Sequence, residues 1–254
     1  MNRKIINSNC KEKEVFKIVY SRTDVGIKRQ NNEDYMLTYS LDESCSLYIV
    51  LDGIGGASGG EIASRTAAEK TLEYIKEHYQ EQKIEDMLKL AVKYANKCVY
   101  EIAKSNKEYK NMGTTLTMLF VKDDVGYHIS VGDSRIYELK ENAITLLTED
   151  DTYVNALLRD NIISREEAKV HPERHVLVRA IGIAKNVTFD VNKIENIKDR
   201  RFLLCTDGLT TTSTDQDILL KIADSNDEDI CNILVDMANE KGGVDNITVM
   251  YVKA

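Results

Sequence analysis

Two apolar runs in this chain end on the same Asp-Gly pair. Leu47-Tyr-Ile-Val-Leu51 leads into Asp52-Gly53, and Phe202-Leu-Leu-Cys-Thr206 leads into Asp207-Gly208. A further acidic residue, Asp245, stands in Gly242-Gly-Val-Asp-Asn246 just ahead of the run Ile247-Thr-Val-Met-Tyr-Val252. Each run has the length and the β-branched or aromatic bias of a buried strand. A carboxylate at a strand tip is held rigidly. Tips that meet would gather negative charge, and such a cluster calls for a cation.

The chain around these runs is 254 residues long, with 43% hydrophobic and 30% charged residues, an ordinary globular mixture. No Pro-, Ser- or Gly-rich linker interrupts it, and Pro172 is the only proline. One domain over 1–254 is expected, with residues 1–14 polar and loose. The net charge of -8 argues against binding nucleic acid or an anionic membrane. The five cysteines are widely spaced, without a CxxC pair, so neither a disulfide framework nor a zinc site is suggested. The start is too polar for a signal peptide, and no stretch approaches the ~18 apolar residues of a membrane span. A reduced cytoplasm fits best, and a monomer is expected.

Strands are predicted at 16–21, 35–39 and 47–51, then helices over 61–78 and 84–102. In the second helix Ile84, Met87, Leu88, Ala91, Ala95, Cys98 and Ile102 recur at spacings of three and four, giving one apolar face. Strands return at 113–121, 126–131, 135–139 and 143–147, with Lys140-Glu-Asn142 as a hairpin loop. A polar insert over 152–180 carries helices at 153–160 and 164–170, the latter opened by a Ser164…Glu167 capping box. Strands at 187–193 and 202–205, helices at 215–224 and 227–240 and a last strand complete the order. Mostly consecutive strands with helices in pairs fit an α+β fold, antiparallel sheets covered by helices, better than a βαβ sheet.

Aspartates without His or Cys at ligand spacing select hard cations, magnesium or manganese over zinc. Two such ions would polarise a phosphoryl group and lower the pKa of a bridging water, which suits phosphoester hydrolysis. The alternative for any one Asp-Gly is a hairpin turn. At Asp52 a glycine-rich segment and a helix follow instead of a second strand. That segment breaks the GxGxxG spacing at Ser58 and has no Walker lysine, so it reads as room for metal-bound water. Arg29 offers a fork for phosphate oxygens or is simply an exposed arginine. Glu33 and Asp34, opening a strand, are ligands or turn residues.

The segments Thr23-Asp-Val-Gly26, Arg29, Asn32-Glu-Asp34, Val50-Leu-Asp-Gly-Ile-Gly-Gly56, Gly60-Glu61 and Met112-Gly-Thr-Thr115 stand in one order along the chain. Val131-Gly-Asp-Ser-Arg135, Leu147-Thr-Glu-Asp150, His171-Pro-Glu-Arg-His175, Cys205-Thr-Asp-Gly-Leu209 and Asp245-Asn-Ile-Thr-Val249 continue it. Together they resemble the metal-dependent protein phosphatases, the protein phosphatase 2C family, in its bacterial serine/threonine form. The resemblance covers nearly the whole chain.

It implies a four-layer α/β/β/α fold: a central antiparallel β-sandwich flanked by helix pairs, with metals at one end and the 152–180 insert as a flap beside them. It implies two Mn2+ or Mg2+ ions bridged by Asp52, with the Gly53 carbonyl contributing and Asp207 and Asp245 completing one ion. Asp34 and Glu33 would act directly or through water, and Glu33 and Asn246 would support the ligands from behind. Asp150 matches the position of a third, weaker ion, and Arg29 matches the phosphate clamp. Asp133, Ser134, Arg135, Thr114 and Thr115 would brace the sheets, and His171 and His175 would position the flap. Ile54 stands where animal members carry a histidine, and Asp151 where a histidine is common. The activity implied is hydrolysis of phosphoserine and phosphothreonine in proteins, Ser/Thr kinases and their substrates among them, by a hydroxide bridging the two ions. A silent phosphoprotein-binding module would lack the ligand aspartates, which are all present. A phosphatase dedicated to one anti-sigma-factor antagonist would usually carry a sensor domain. A cysteine-based phosphatase needs Cys-x5-Arg, which does not occur.

Overall fold

The computed structural model describes residues 18–55, 59–223 and 225–254. The expectation of a loose 1–14 segment, the first two residues of the strand expected at 16–21, the middle of the glycine-rich segment and the last residue of the helix expected at 215–224 lie outside the described residues. Strands β1 (Ile18–Asp24), β2 (Tyr35–Asp42), β3 (Cys45–Leu51) and the short β4 (Gly53–Ile54) precede helices α1 (Gly59–His78) and α2 (Ile84–Ser105). Next come β5 (Gly113–Thr114), β6 (Leu116–Lys122), β7 (Val125–Val131), β8 (Arg135–Lys140) and β9 (Ala143–Leu146). The insert forms α3 (Tyr153–Arg159) and α4 (Arg165–Val170). Then follow β10 (Asn192–Glu195), β11 (Arg201–Cys205), α5 (Asp207–Thr210), α6 (Asp215–Ala223), α7 (Ile230–Glu240) and β12 (Ile247–Lys253).

One sheet has the order β1-β12-β11-β8-β9 and the other β10-β7-β6-β3-β2, with every pairing antiparallel. The apolar runs look continuous because both faces of these strands are covered. Leu47, Ile49 and Leu51 of β3 pack with Ala63, Ala67, Met87 and Leu88 of α1 and α2. Tyr48 and Val50, pointing the other way, meet Phe202, Leu204, Met250 and Val252 between the sheets. Leu203, Val249 and Tyr251 face Ile218, Leu234 and Val235 of α6 and α7. The result is the expected α/β/β/α layering, an α+β fold.

Most expected elements appear within a residue or two of their bounds. The hairpin loop is Glu141-Asn142, since Lys140 pairs with Ala143. The capping box of α4 is present in both directions. Four local expectations fail. The strand expected at 113–121 is divided: β5 (Gly113–Thr114) pairs with β4 in a two-stranded ladder, and β6 (Leu116–Lys122) lies in the larger sheet. The strand expected at 187–193 is β10 at Asn192–Glu195, because only those residues meet β7, while Val187, Phe189 and Val191 pack on the core without pairing. The helix expected from 227 starts at Ile230. The buried face of α2 is Met87, Leu88, Ala91, Val92, Ala95, Asn96 and Val99, so Cys98 sits at its margin and a polar residue lies inside it.

Register brings the functional loops to one end. Leu51 is opposite Tyr35, and Leu116 opposite Val131, in one sheet; Cys205 is opposite Arg135, and Ile247 opposite Asp24, in the other. The loops beyond these residues carry Arg29, Glu33, Asp34, Asp52, Asp133, Asp207 and Asp245. Among the described residues no helix is long and apolar enough to cross a membrane.

Candidate active site

Asp34 sits at the start of β2 and is buried. Thr206 Oγ1, just beyond β11, donates to its Oδ2 at 2.9 Å, and Thr248 Oγ1, on β12, does so at 2.7 Å. Its other oxygen, Oδ1, is buried with no hydrogen-bond partner. Burial raises its pKa to about 7, against the pull of the two hydroxyls.

Asp52 leaves β3 on a doubly pinned backbone. Its N–H donates to Thr115 Oγ1 at 2.8 Å, and its carbonyl accepts from Thr115 N at 2.9 Å and Thr114 Oγ1 at 2.8 Å. Burial and then the carboxylates of Asp34, Asp207, Asp133 and Asp245 drive its pKa well above the ordinary range. Asp207 opens α5, close enough to Asp52 to share a hydrogen bond, and burial followed by Asp245 raises its pKa too. Asp207 Oδ1 is a second buried oxygen without a partner. His175, from the insert, places Nδ1 4.0 Å from Asp207 Oδ2.

Asp245 is held by Arg29, whose Nη2 lies 2.7 Å from its Oδ2. Burial opposes the charge of Arg29, but Asp245, joined by Asp52 and Glu33, outweighs it and the guanidinium pKa is raised. Asn246 ties the loops together: its Oδ1 accepts from Glu33 N at 2.8 Å, and its Nδ2 donates to the carbonyls of Val25 and Asn31, both at 2.9 Å. Gly53 and Gly60 let β4 and the start of α1 close on Glu33. A Cβ on Gly53 would lie 2.3 Å from Gly60 O, and one on Gly60 would lie 2.5 Å from Glu33 Oε2. Burial raises the Glu33 pKa.

Arg29, Glu33, Asp34, Asp52, Gly53, Asp207, Asp245 and Asn246 are therefore brought to one place. Asp150 stands at its edge in a different bond, gripped by Arg135 through Nε at 2.9 Å and Nη2 at 2.6 Å. Asp133, expected only to brace a sheet, belongs electrostatically with the cluster. Burial, then Asp207 and Asp150, lift its pKa to about 8. Asp151 pairs with Arg179 and accepts from Gly132 N at 3.1 Å, clasping the base of the insert. The threonines that seat Asp34 escaped the sequence reading. Their only signal is their place, one residue before Asp207 and two after Asn246.

Among the described residues no three His, Cys, Asp or Glu side chains stand close enough to hold an ion as they are. The donor set nonetheless fits a hard cation. It is all oxygen, several carboxyls crowd one another, and two buried carboxyl oxygens lack any partner. Thiol chemistry does not fit: burial pushes the Cys205 thiol up to about 12.

Residues 26–238 match the family model described as protein phosphatase 2C. A serine/threonine phosphatase stp of Listeria welshimeri is 35% identical over 237 residues, covering 91% of this chain and 94% of that protein. Stp1 from Staphylococcus aureus has a solved structure that aligns with a TM-score of 0.85 at 28% identity, covering 98% of this chain and 99% of that one. The catalytic domain of the phosphatase PstP, solved in complex with two manganese ions, aligns with a TM-score of 0.81 at 28% identity, over 93% of this chain and 97% of that one. The strand tips, the ordered motifs and these matches agree: the chain belongs to the protein phosphatase 2C family and is a serine/threonine protein phosphatase of its bacterial type.

Proposed function

We propose that this phosphatase is metal-dependent, hydrolysing phosphoserine and phosphothreonine in proteins at the carboxylate cluster. The observation that carries the reading is the pair of orphaned buried oxygens, Asp34 Oδ1 and Asp207 Oδ1, beside Asp52. The PstP neighbour with two manganese ions supports manganese, with magnesium as the alternative. Asp34, Asp52, the Gly53 carbonyl, Asp207 and Asp245 would hold two ions. When bound, these would supply an attacking hydroxide between them and Lewis-acid stabilisation of the phosphoryl oxygens.

The chain's own side chains do the rest. Arg29 donates one N–H to Asp245, which aims the guanidinium across the cluster and leaves other donors for phosphate oxygens, where charge must be held in the transition state. Thr206 and Thr248 orient Asp34, and Asn246 fixes the loop carrying Glu33. Ile54 has no proton to give, so in this reading the proton for the leaving alkoxide would come from water in the site. A third, weaker ion at Asp150 belongs to the same proposal. There Arg135 would compete with it for Asp150, and Asp133, whose carboxyl feels the charges of Asp207 and Asp150, would add a further oxygen ligand.

Substrates would be phosphorylated proteins, including Ser/Thr kinases and their targets, met in the cytoplasm by a monomer. One catalytic domain over 1–254, with a flap at 152–180, is part of this reading. Phosphate release from para-nitrophenyl phosphate and from a phosphothreonine peptide, with and without manganese and a chelator, tests it. Turnover that ignores both, or survives Asp207→Ala in a folded chain, rejects the ligand set.

A further inference from the structure

The buried face of α2 is apolar except at Asn96, which is 1% exposed. A polar side chain in such a place is costly unless its hydrogen bonds are made. Asn96 makes three. Its Oδ1 accepts from Gly182 N at 2.8 Å, and its Nδ2 donates to Ala184 O at 3.0 Å and to Lys185 O at 3.2 Å. All go to the segment through which the insert rejoins the sandwich. Gly182, at φ +86°, lets that segment approach α2: a Cβ there would lie 2.2 Å from Val99 Cγ1.

The segment continues directly into the active site. Ile181 exchanges backbone hydrogen bonds with Thr114, at 3.0 and 2.8 Å. Thr114 in turn donates its hydroxyl to the Asp52 carbonyl at 2.8 Å. On the other side, Arg179 is paired with Asp151, and Val178 N donates to Asp151 O at 2.8 Å. The return arm thus lies between the base of the insert and the shelf under Asp52.

We propose that Asn96 is a positioning residue: by fastening residues 182–185 to α2, it holds in place both the return arm of the insert and, through Ile181 and Thr114, the backbone of Asp52. It touches no reacting atom. A short hydrogen-bonded path joins it to the cluster, so its loss loosens the site without emptying the core. The kinetic consequence rests on the phosphatase reading above; the mechanical one does not.

The test compares the full chain with Asn96→Ala, Asn96→Asp and Val92→Ala. Val92 lies one turn earlier on the same buried face, with no hydrogen bond to give the segment, so it reports plain loss of packing. Amide exchange at 181–186 and steady-state kinetics on a phosphothreonine peptide are read at a temperature where every variant is folded. Asn96→Ala should speed exchange in that segment and lower kcat/KM on the order of tenfold beyond Val92→Ala, since small displacements of reacting groups are costly. Asn96→Asp keeps the acceptor for Gly182 N but sets a carboxylate oxygen against the carbonyls of Ala184 and Lys185, so its effect should equal or exceed that of Asn96→Ala. If Asn96→Ala does not fold, Asn96→Ser, which keeps a hydroxyl and adds no charge, is compared with Val92→Ala in its place. Exchange and kinetics that match Val92→Ala would overturn the proposal. If even the parent chain releases no phosphate, the phosphatase reading fails, while exchange at 181–186 still decides the role of Asn96.

Discussion

Thr206 and Thr248 illustrate how a carboxylate is aimed by groups that never meet the substrate. Both hydroxyls converge on Asp34 Oδ2 and turn Oδ1 into the buried space. Removing one, as in Thr248→Val, leaves the fold's volume intact but frees the carboxylate to rotate. We expect manganese to bind about 10- to 100-fold more weakly in Thr248→Val, the usual effect of losing a hydrogen bond behind a ligand. A manganese titration of turnover measures this, and an unchanged midpoint would show that the hydroxyl has no aiming role. Arg29→Lys keeps the charge but loses the planar fork. Roughly a 100-fold loss of kcat/KM is expected, as for removal of one donor to the transition-state charge. A loss of less than twofold would mean that Arg29 serves Asp245 alone.

At the scale of elements, the junction of β4 with α1 is a close fit beside the site. A methyl group on Gly60 would reach Glu33 Oε2 at 2.5 Å and Gly53 C at 2.8 Å, whereas one on Gly59 meets only Met112 Cβ at 3.1 Å. Gly60→Ala should cost about 1–3 kcal/mol, the range for overpacking. Gly59→Ala should cost less. Denaturant midpoints of the two variants check the order, and a reversed order would contradict the packing described. The same junction shows the limit of reading the sequence by spacing. The glycines around Asp52 looked like room for water, but at Gly53 and Gly60 their small size admits another backbone. In α2 a period of three and four gave the right helix and a face turned slightly from the true one, because Asn96 is buried by partners on a loop more than 80 residues away.

For the whole molecule, the carboxylate cluster sets how stability responds to pH when no metal is present. Asp34, raised to about 7, and Asp133, raised to about 8, hold protons in the folded chain that the unfolded chain releases near pH 4. The folded state binds more protons in that window, so stability must fall as pH rises from about 4 through 7 to 8. His128, buried between the sheets with its pKa lowered by that burial, acts in the opposite sense below about pH 6.5. It is one group against several carboxyls, so the decline should dominate. A chelator-treated chain should therefore melt at a higher temperature at pH 5 than at pH 8. Manganese should recover the difference at pH 8, since it binds the ionised folded chain. A melting temperature that rises from pH 5 to pH 8 without metal would refute this account.

The sequence alone determined most of the strands and helices, because hydrophobic period and strand-like composition are local properties. It also determined that acidic residues terminate several buried strands, since an Asp-Gly after an apolar run is visible in one dimension. Tertiary structure alone decided which carboxyls share a site and what each touches. Asp133 joined Asp52 and Asp207, while Asp150 turned to Arg135, because antiparallel register brings distant strand tips level. The strand expected at 187–193 is displaced to Asn192–Glu195 for the same reason: a strand exists only where a neighbour offers its hydrogen bonds, and β7 offers them only there.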